Sequence, residues 1–182
     1  MKPFYMISVF FIFITACYKD PLGPAGGYVF YDKGSYSDGW RYLEAAPEDT
    51  EWEAAWGAHE STIGGTSTEI GTGKTNTQII VAWLNDHGES GKAAQLCDGL
   101  NYGGYNDWFL PSKDELDMMY QELQGNGVGG FADDVNYDYS NAYWSSSEAD
   151  IDYAWVQTFH DGLQYHYYYK GSARYVRAVR AF

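Results

Sequence analysis

Residues 111–123 read PSKDELDMMYQEL, and their spacing decides what kind of fold this chain makes. Ser112 can cap a helix and Glu115 stands three residues on, the pairing in which side chains and backbone satisfy each other's unpaired groups at a helix start. Leu116, Met119, Tyr120 and Leu123 then line one face, so the segment predicts an amphipathic helix with one buried stripe. Upstream, TNTQ from Thr75 reads as a second capping box, and Ile79, Ile80, Trp83, Leu84 and His87 follow at helical spacing until Gly88. A shorter helix is expected from Lys92 to Leu100, with Ala93, Leu96, Cys97 and Leu100 along one side. Farther back, Tyr28 to Tyr31 and Trp40 to Ala45 have strand composition, and Gly34, Asp38 and Gly39 supply the turn between them. Segment 46–73 reads as loop with a helical turn around Trp52 to Trp56. Beyond Gly125 the pattern changes to Tyr143–Ser146, Ala154–Phe159, Gln164–Tyr169 and Tyr175–Ala181, four strand-like runs bounded by turn residues. Two strands, then helices, then a run of strands, with no internal repeat, place the chain in the α+β class.

With 182 residues the chain has room for one ordinary domain with a sizeable core. Its 25 Asp and Glu against 11 Lys and Arg leave a formal charge of −14, which excludes a nucleic-acid partner because phosphate neutralisation needs a basic patch. The 18 tyrosines are more than a core can bury with every hydroxyl satisfied, so many rings must reach the surface.

The first 17 residues, MKPFYMISVFFIFITAC, show one lysine and then an apolar run from Phe4 to Thr15, too short to span a bilayer comfortably. Residues 1–16 are expected to be a signal peptide, and Ile14-Thr15-Ala16-Cys17 resembles the bacterial lipobox, in which the cysteine is acylated and becomes the mature N-terminus. Lipidation of Cys17 would give stable attachment, the chain's sole contact with a membrane. Tyr18 stands where an aspartate would favour inner-membrane retention by the lipoprotein sorting rule, so the outer membrane or cell surface is expected. Residues 17–26 have the composition of a flexible tether, with the folded domain over 27–182. Cys97 then has no intramolecular partner and is expected to be a small buried hydrophobe.

Motifs for chemistry are sparse. GTGKT at 71–75 lacks the first glycine of a phosphate loop, since Thr68 stands there, and it reads as a loop ending at the helix cap. Asp134, Asn136 and Asp138 alternate as calcium ligands would, but Tyr139 and Ser145 stand where such a loop needs glycine and glutamate, so a solvated turn is the default and calcium the alternative. The histidines His59, His87, His160 and His166 have no zinc-ligand spacing, and no cofactor is otherwise indicated. Ser145, Ser146 and Ser147 lack a nucleophile elbow. Carboxylates such as Asp133, Asp134 or Asp161 could serve a glycan-acting enzyme, the alternative to a binding protein, and a self-associating envelope protein is a third class. What stands out is QYHYYYKG, Gln164 to Gly171. Strand alternation would send Tyr165, Tyr167 and Tyr169 to one face and His166 and Tyr168 to the other. Tyrosine offers a large rigid contact area with a hydroxyl, as in antibody paratopes, which points to binding a protein or glycan.

The strings GGYVFYDKG, IGTGKTNT, GGYNDWFLPSKDEL, YWSSSE, FHDG and the closing YVRAVRAF resemble the Lcl C-terminal domain family from about Gly26 to Phe182. The family is similar in turn to the C-type-lectin-like fold, which implies two or three short helices flanking irregular antiparallel sheets on an exported bacterial surface protein. Some relatives bind sulfated polysaccharides, which fits poorly with this charge. Several proteins of the lectin-like fold are targets of diversity-generating retroelements, and the run from Asn141 to Ala173 is rich in the Tyr, His, Asp, Asn and Ser that such diversification produces. The resemblance therefore implies a variable binding face of Tyr153, His160, Tyr165, His166, Tyr167, Tyr168 and Tyr169. The constant scaffold would be Trp108, Leu110, Pro111, Trp144, Ser145 and the strand around Val176 to Val179. Many relatives carry a cysteine where Ala178 stands, able to bridge to the position of Cys97; that staple is absent here. The lectin sugar motifs EPN, QPD and WND are missing too, and the lone Cys97 argues against formylglycine-generating chemistry.

Overall fold

Residues 22–133 and 141–182 are described by the computed structural model. In chain order its elements are β1 (Tyr28–Ser37), β2 (Trp40–Ala45), β3 (Trp52–Ala55), α1 (Gly73–Asp86), α2 (Ala93–Asp98), α3 (Lys113–Glu122), β4 (Ala142–Glu148), β5 (Tyr153–Thr158), β6 (Gln164–Tyr169), β7 (Ala173–Val176) and β8 (Val179–Ala181). The α+β class expected from the sequence is what the chain adopts.

The capping box at Ser112 forms in both directions: Ser112 Oγ accepts from the Glu115 N–H at 3.3 Å, and the Glu115 carboxylate accepts from the Ser112 N–H at 2.7 Å. The expected box at Thr75 does not form. Helix α1 starts two residues earlier, with Gly73 as its first residue and no side chain capping it. A distant group serves instead, since Glu115 Oε1 accepts from the Gly71 N–H at 2.8 Å. Gly73 must be glycine because a Cβ there would lie 2.2 Å from Glu115 Oε2 and 2.9 Å from the Leu110 carbonyl. Gly73 is thus a packing residue at the helix start, and Gly71, at φ 93°, belongs to the turn before it.

Strands β1, β2 and β8 form one sheet, and the second runs in the order β3-β7-β4-β5-β6, all antiparallel apart from one parallel pairing, Tyr143 with Tyr175. The β1–β2 hairpin closes through Asp38 and Gly39, both at positive φ, the turn whose twist matches paired strands. Two expectations fail in the sheets. Trp52 to Ala55 is a strand rather than a helical turn, because it pairs with β7, and a single turn of 3-10 helix sits just before it at Glu48–Thr50. The closing run is two strands in two sheets, split at Arg177 and Ala178. At that split the Arg177 guanidinium is buried, holding Glu51 Oε2 at 2.6 Å and the carbonyls of Ala46 and Gly129 at 3.1 and 2.9 Å.

The sheets and helices enclose two apolar clusters. In the first, α1 and α2 cover the second sheet through Ile80, Leu84 and Cys97 against Trp56, Trp144 and Val156. In the second, Leu116 and Met119 of α3 pack on Phe30, Leu43, Tyr143 and Phe159. Each such side chain contributes about 1.5–3 kcal/mol by leaving water. The buried indoles are satisfied, Trp56 donating to the Ser145 carbonyl at 2.8 Å and Trp144 to that of Ala54 at 2.9 Å. Cys97 is wholly buried in the first cluster as expected, and burial pushes its thiol well above the usual range. The core also reaches into the expected tether: Ala25 is 4% exposed and Leu22 bridges to Tyr28, so residues 22–26 belong to the domain.

Candidate binding face

The hairpin of β5 and β6 carries the tyrosine run, and its register decides which rings face water. Tyr153 pairs with Tyr169, Ala154 with Tyr168, Val156 with Tyr165 and Gln157 with Gln164. His166 and Tyr167 therefore stand together opposite Trp155, a β-bulge that shifts the alternation by one. Tyr165 and Tyr168, three apart in sequence, both turn to the core beside Val156 and Ala154. This corrects the expected sorting of Tyr165, Tyr167 and Tyr169 onto one face. It also removes Tyr168 from the binding residues: the ring is 8% exposed, with the Arg174 guanidinium 5.2 Å from its centroid. Tyr165 is half-buried against the same cluster.

The rest of the run faces outward. Tyr167 is 55% exposed, Tyr169 is 42% exposed, and His166 is exposed with its ring 5.2 Å from that of Trp155. Tyr153, half-buried, stands across from Tyr169. Two neighbours were not anticipated: His59, whose ring meets Tyr169 edge-on at 4.3 Å, and Ile151, half exposed in the preceding turn. Trp155 was missed as well, although its place two residues from Tyr153 on the same side of a strand was a signal that could have found it. His59 carried no such signal, because distant groups place its loop: Trp56 and Gly57 donate to the Lys170 carbonyl, and Ala58 donates to Glu89 Oε1 at 3.0 Å. His160 lies in the turn between β5 and β6, at the opposite end of β6 from Tyr169. There it faces Asp161 at 3.1 Å.

The face is braced at both ends. On one side Gln157 donates to Asp117 of α3 at 2.7 Å, and Gln164 donates to the Lys113 carbonyl at 2.9 Å. On the other, the fully buried Lys170 donates to Glu148 Oε1 at 2.6 Å, while Glu148 accepts from the Ile63 and Gly64 N–H groups at 2.9 and 2.7 Å. The serines of YWSSSE are committed to similar joints: Ser145 donates to the Trp155 carbonyl, Ser146 accepts from Asn76, and Ser147 donates to the Ser67 carbonyl.

Of the carboxylates considered for catalysis, Asp133 and Asp161 lie among the described residues. Asp133 accepts from Gln124 at 3.2 Å. Asp161 is held below the usual carboxylate range: slight burial raises it, but bonds from Thr158 and the Leu163 N–H, with His160 nearby, outweigh that. A cavity of about 580 Å³ elsewhere is lined by Glu48, Glu51, Glu53, Trp52, Phe131 and Tyr175. Burial pushes Glu51 up against the pull of Arg177, and that carboxylate is already bonded to Arg177 and Tyr143. Among the described residues no three His, Cys, Asp or Glu side chains cluster as a metal site, and no helix is long and apolar enough to cross a membrane. Asp134, Asn136 and Asp138, the calcium candidates, and Cys17, the lipidation candidate, lie outside the described residues.

The family model of the Lcl C-terminal domain matches residues 40–180. The chain belongs to the Lcl C-terminal domain family. The matched span runs from the start of β2 into β8 and includes every residue of the aromatic face, so the face is part of the Lcl domain itself. Membership fits a surface-associated protein. No curated protein matches the chain.

Proposed function

We propose that this Lcl domain protein is anchored by lipid on Cys17 to the outer membrane or cell surface and binds a protein or glycan ligand through the β5–β6 face, without catalysis. The observation that carries this reading is the exposure of Tyr167, Tyr169 and His166 on a hairpin braced by buried hydrogen bonds. Large rings already ordered in the free protein lose little entropy on binding, so contact area converts into affinity with small loss. Diversification by a retroelement belongs to the same proposal. It is supported by the sorting of positions: Trp108, Leu110, Trp144, Ser145 and Val176 are buried, whereas His166, Tyr167 and Tyr169 are exposed and free to vary at small cost to the fold. A reverse-transcriptase gene and a near-copy of the 3′ coding end beside this gene would accompany it.

The test is a protein and glycan array probed with the full chain in neutral detergent. Tyr167→Ala/Tyr169→Ala should abolish the signal while lowering the melting point by only about 4–8 °C. Undiminished binding by that variant would place the ligand elsewhere.

A further inference from the structure

Resting on that reading, we propose that the partner presents lysine or arginine side chains: the face is an aromatic platform for cations, rimmed by carboxylates at the end where Tyr169 and His59 meet. The turn entering β5 supplies Asp150, exposed, and Asp152, half-buried, on either side of the exposed Ile151. Asp150 Oδ1 accepts from the N–H groups of Asp152 and Tyr153 at 2.9 Å, which fixes this carboxylate beside the strand that pairs Tyr153 with Tyr169. Glu60, exposed, follows His59 and lies 4.0 Å from its ring nitrogen.

The basic groups that touch the hairpin are committed to other contacts. Lys170 is buried and paired with Glu148, Lys113 is 3.0 Å from Asp114 with its ammonium 5.1 Å from the Trp155 ring centre at the far end of the face, and Arg174 lies over the buried Tyr168 ring with Nη1 on the Ala173 carbonyl. The electrostatic balance at the rim is therefore negative, in keeping with the −14 of the whole chain. Aromatic faces attract guanidinium and ammonium groups, and nearby carboxylates add pairing at the edge of the contact. A sulfated or otherwise anionic ligand would meet repulsion from the same groups.

The experiment titrates the full chain, in neutral detergent, with an oligoarginine peptide and separately with heparin, following tryptophan fluorescence at several salt concentrations. Oligoarginine should bind, more weakly as salt rises, and heparin should not. Glu60→Gln/Asp150→Asn/Asp152→Asn should weaken oligoarginine about tenfold, from about twofold for each rim charge. Asp49→Asn/Asp86→Asn/Glu122→Gln makes the same charge change on exposed positions elsewhere and should leave affinity within about twofold. Equal weakening by both triples would reduce the effect to net charge and overturn the proposal, as would heparin binding or silence toward oligoarginine. If Tyr167→Ala/Tyr169→Ala abolishes an array ligand while the carboxylate triple leaves it intact, the aromatic face stands and only its cationic partner falls.

Discussion

Replacing Tyr168 by alanine and, separately, Tyr167 and Tyr169 by alanine tests the register on which the aromatic face rests. Tyr168 is 8% exposed and packed in the same cluster as Ala154 and Val156, so its removal leaves a cavity beside the second sheet. Truncating a buried aromatic ring costs about 3–5 kcal/mol. In a chain of this size each kcal/mol lowers the melting temperature by about 2–4 °C, so Tyr168→Ala should melt about 10 °C below the parent. Tyr167 and Tyr169, at 55% and 42% exposure, stand half in water, and each alanine there should cost about 1 kcal/mol, the scale of strand preference. Urea and thermal unfolding followed by circular dichroism measure all three variants under identical conditions. Strict alternation along β6 would give the opposite order, with Tyr168→Ala mild and the other two severe. That result would refute the bulge at His166 and Tyr167 and with it the choice of exposed rings.

The remaining predictions concern the scaffold. Burial pushes the Glu115 carboxyl up to about 7, against hydrogen bonds from the Ser112, Gly71 and Gly73 N–H groups. The fold therefore binds this proton more tightly than the unfolded chain does, and its contribution is present at low pH and lost as pH rises from about 4.5 to 7, on the order of 3 kcal/mol in all. Urea midpoints at pH 5 and pH 8 should differ less in Glu115→Gln than in the parent; an unchanged difference would exclude Glu115 as the source. Gly73→Ala should destabilise by about 1–3 kcal/mol because its Cβ would meet Glu115 and the Leu110 carbonyl, and a neutral outcome would contradict the packing at the start of α1. Lys170→Met should cost about 3–5 kcal/mol by leaving Glu148 buried without its partner, and adding Glu148→Gln should recover part of the loss; no recovery in the double variant would argue against the pair.

What could be read from the sequence was what neighbours in the chain decide. Helix α3 has its cap, its reciprocal glutamate and its apolar stripe within thirteen residues, and all three act locally. The bounds of β6 were equally plain, as was the burial of Cys97. The misreadings share a cause. Thr75 had the pattern of a cap, but the backbone of α1's entry is held by Glu115 from another helix. Trp52 to Ala55 had no strand signal of its own and becomes one by pairing with a strand near the C-terminus. The last strand looked continuous, and Arg177 divides it by reaching Glu51 from the far end of the chain. At the face, His59 was invisible because Lys170 and Glu89 place its loop.

The bulge settles why one run holds so many rings. A strand of six residues with four tyrosines and a histidine, all alternating regularly, would either bury polar hydroxyls on one side or present a flat aromatic strand prone to pairing with other chains. Two residues opposite Trp155 break that regularity. Tyr165 and Tyr168 become neighbours at 5.8 Å on the core side, where they fix the strand. His166, Tyr167 and Tyr169 are left exposed, touching only the edges and faces of neighbouring rings at 4.3–5.8 Å, so each can change with less loss to the fold than Tyr168. A binding surface that must tolerate substitution needs this division, in which the rings that hold the strand are different residues from those that meet a ligand.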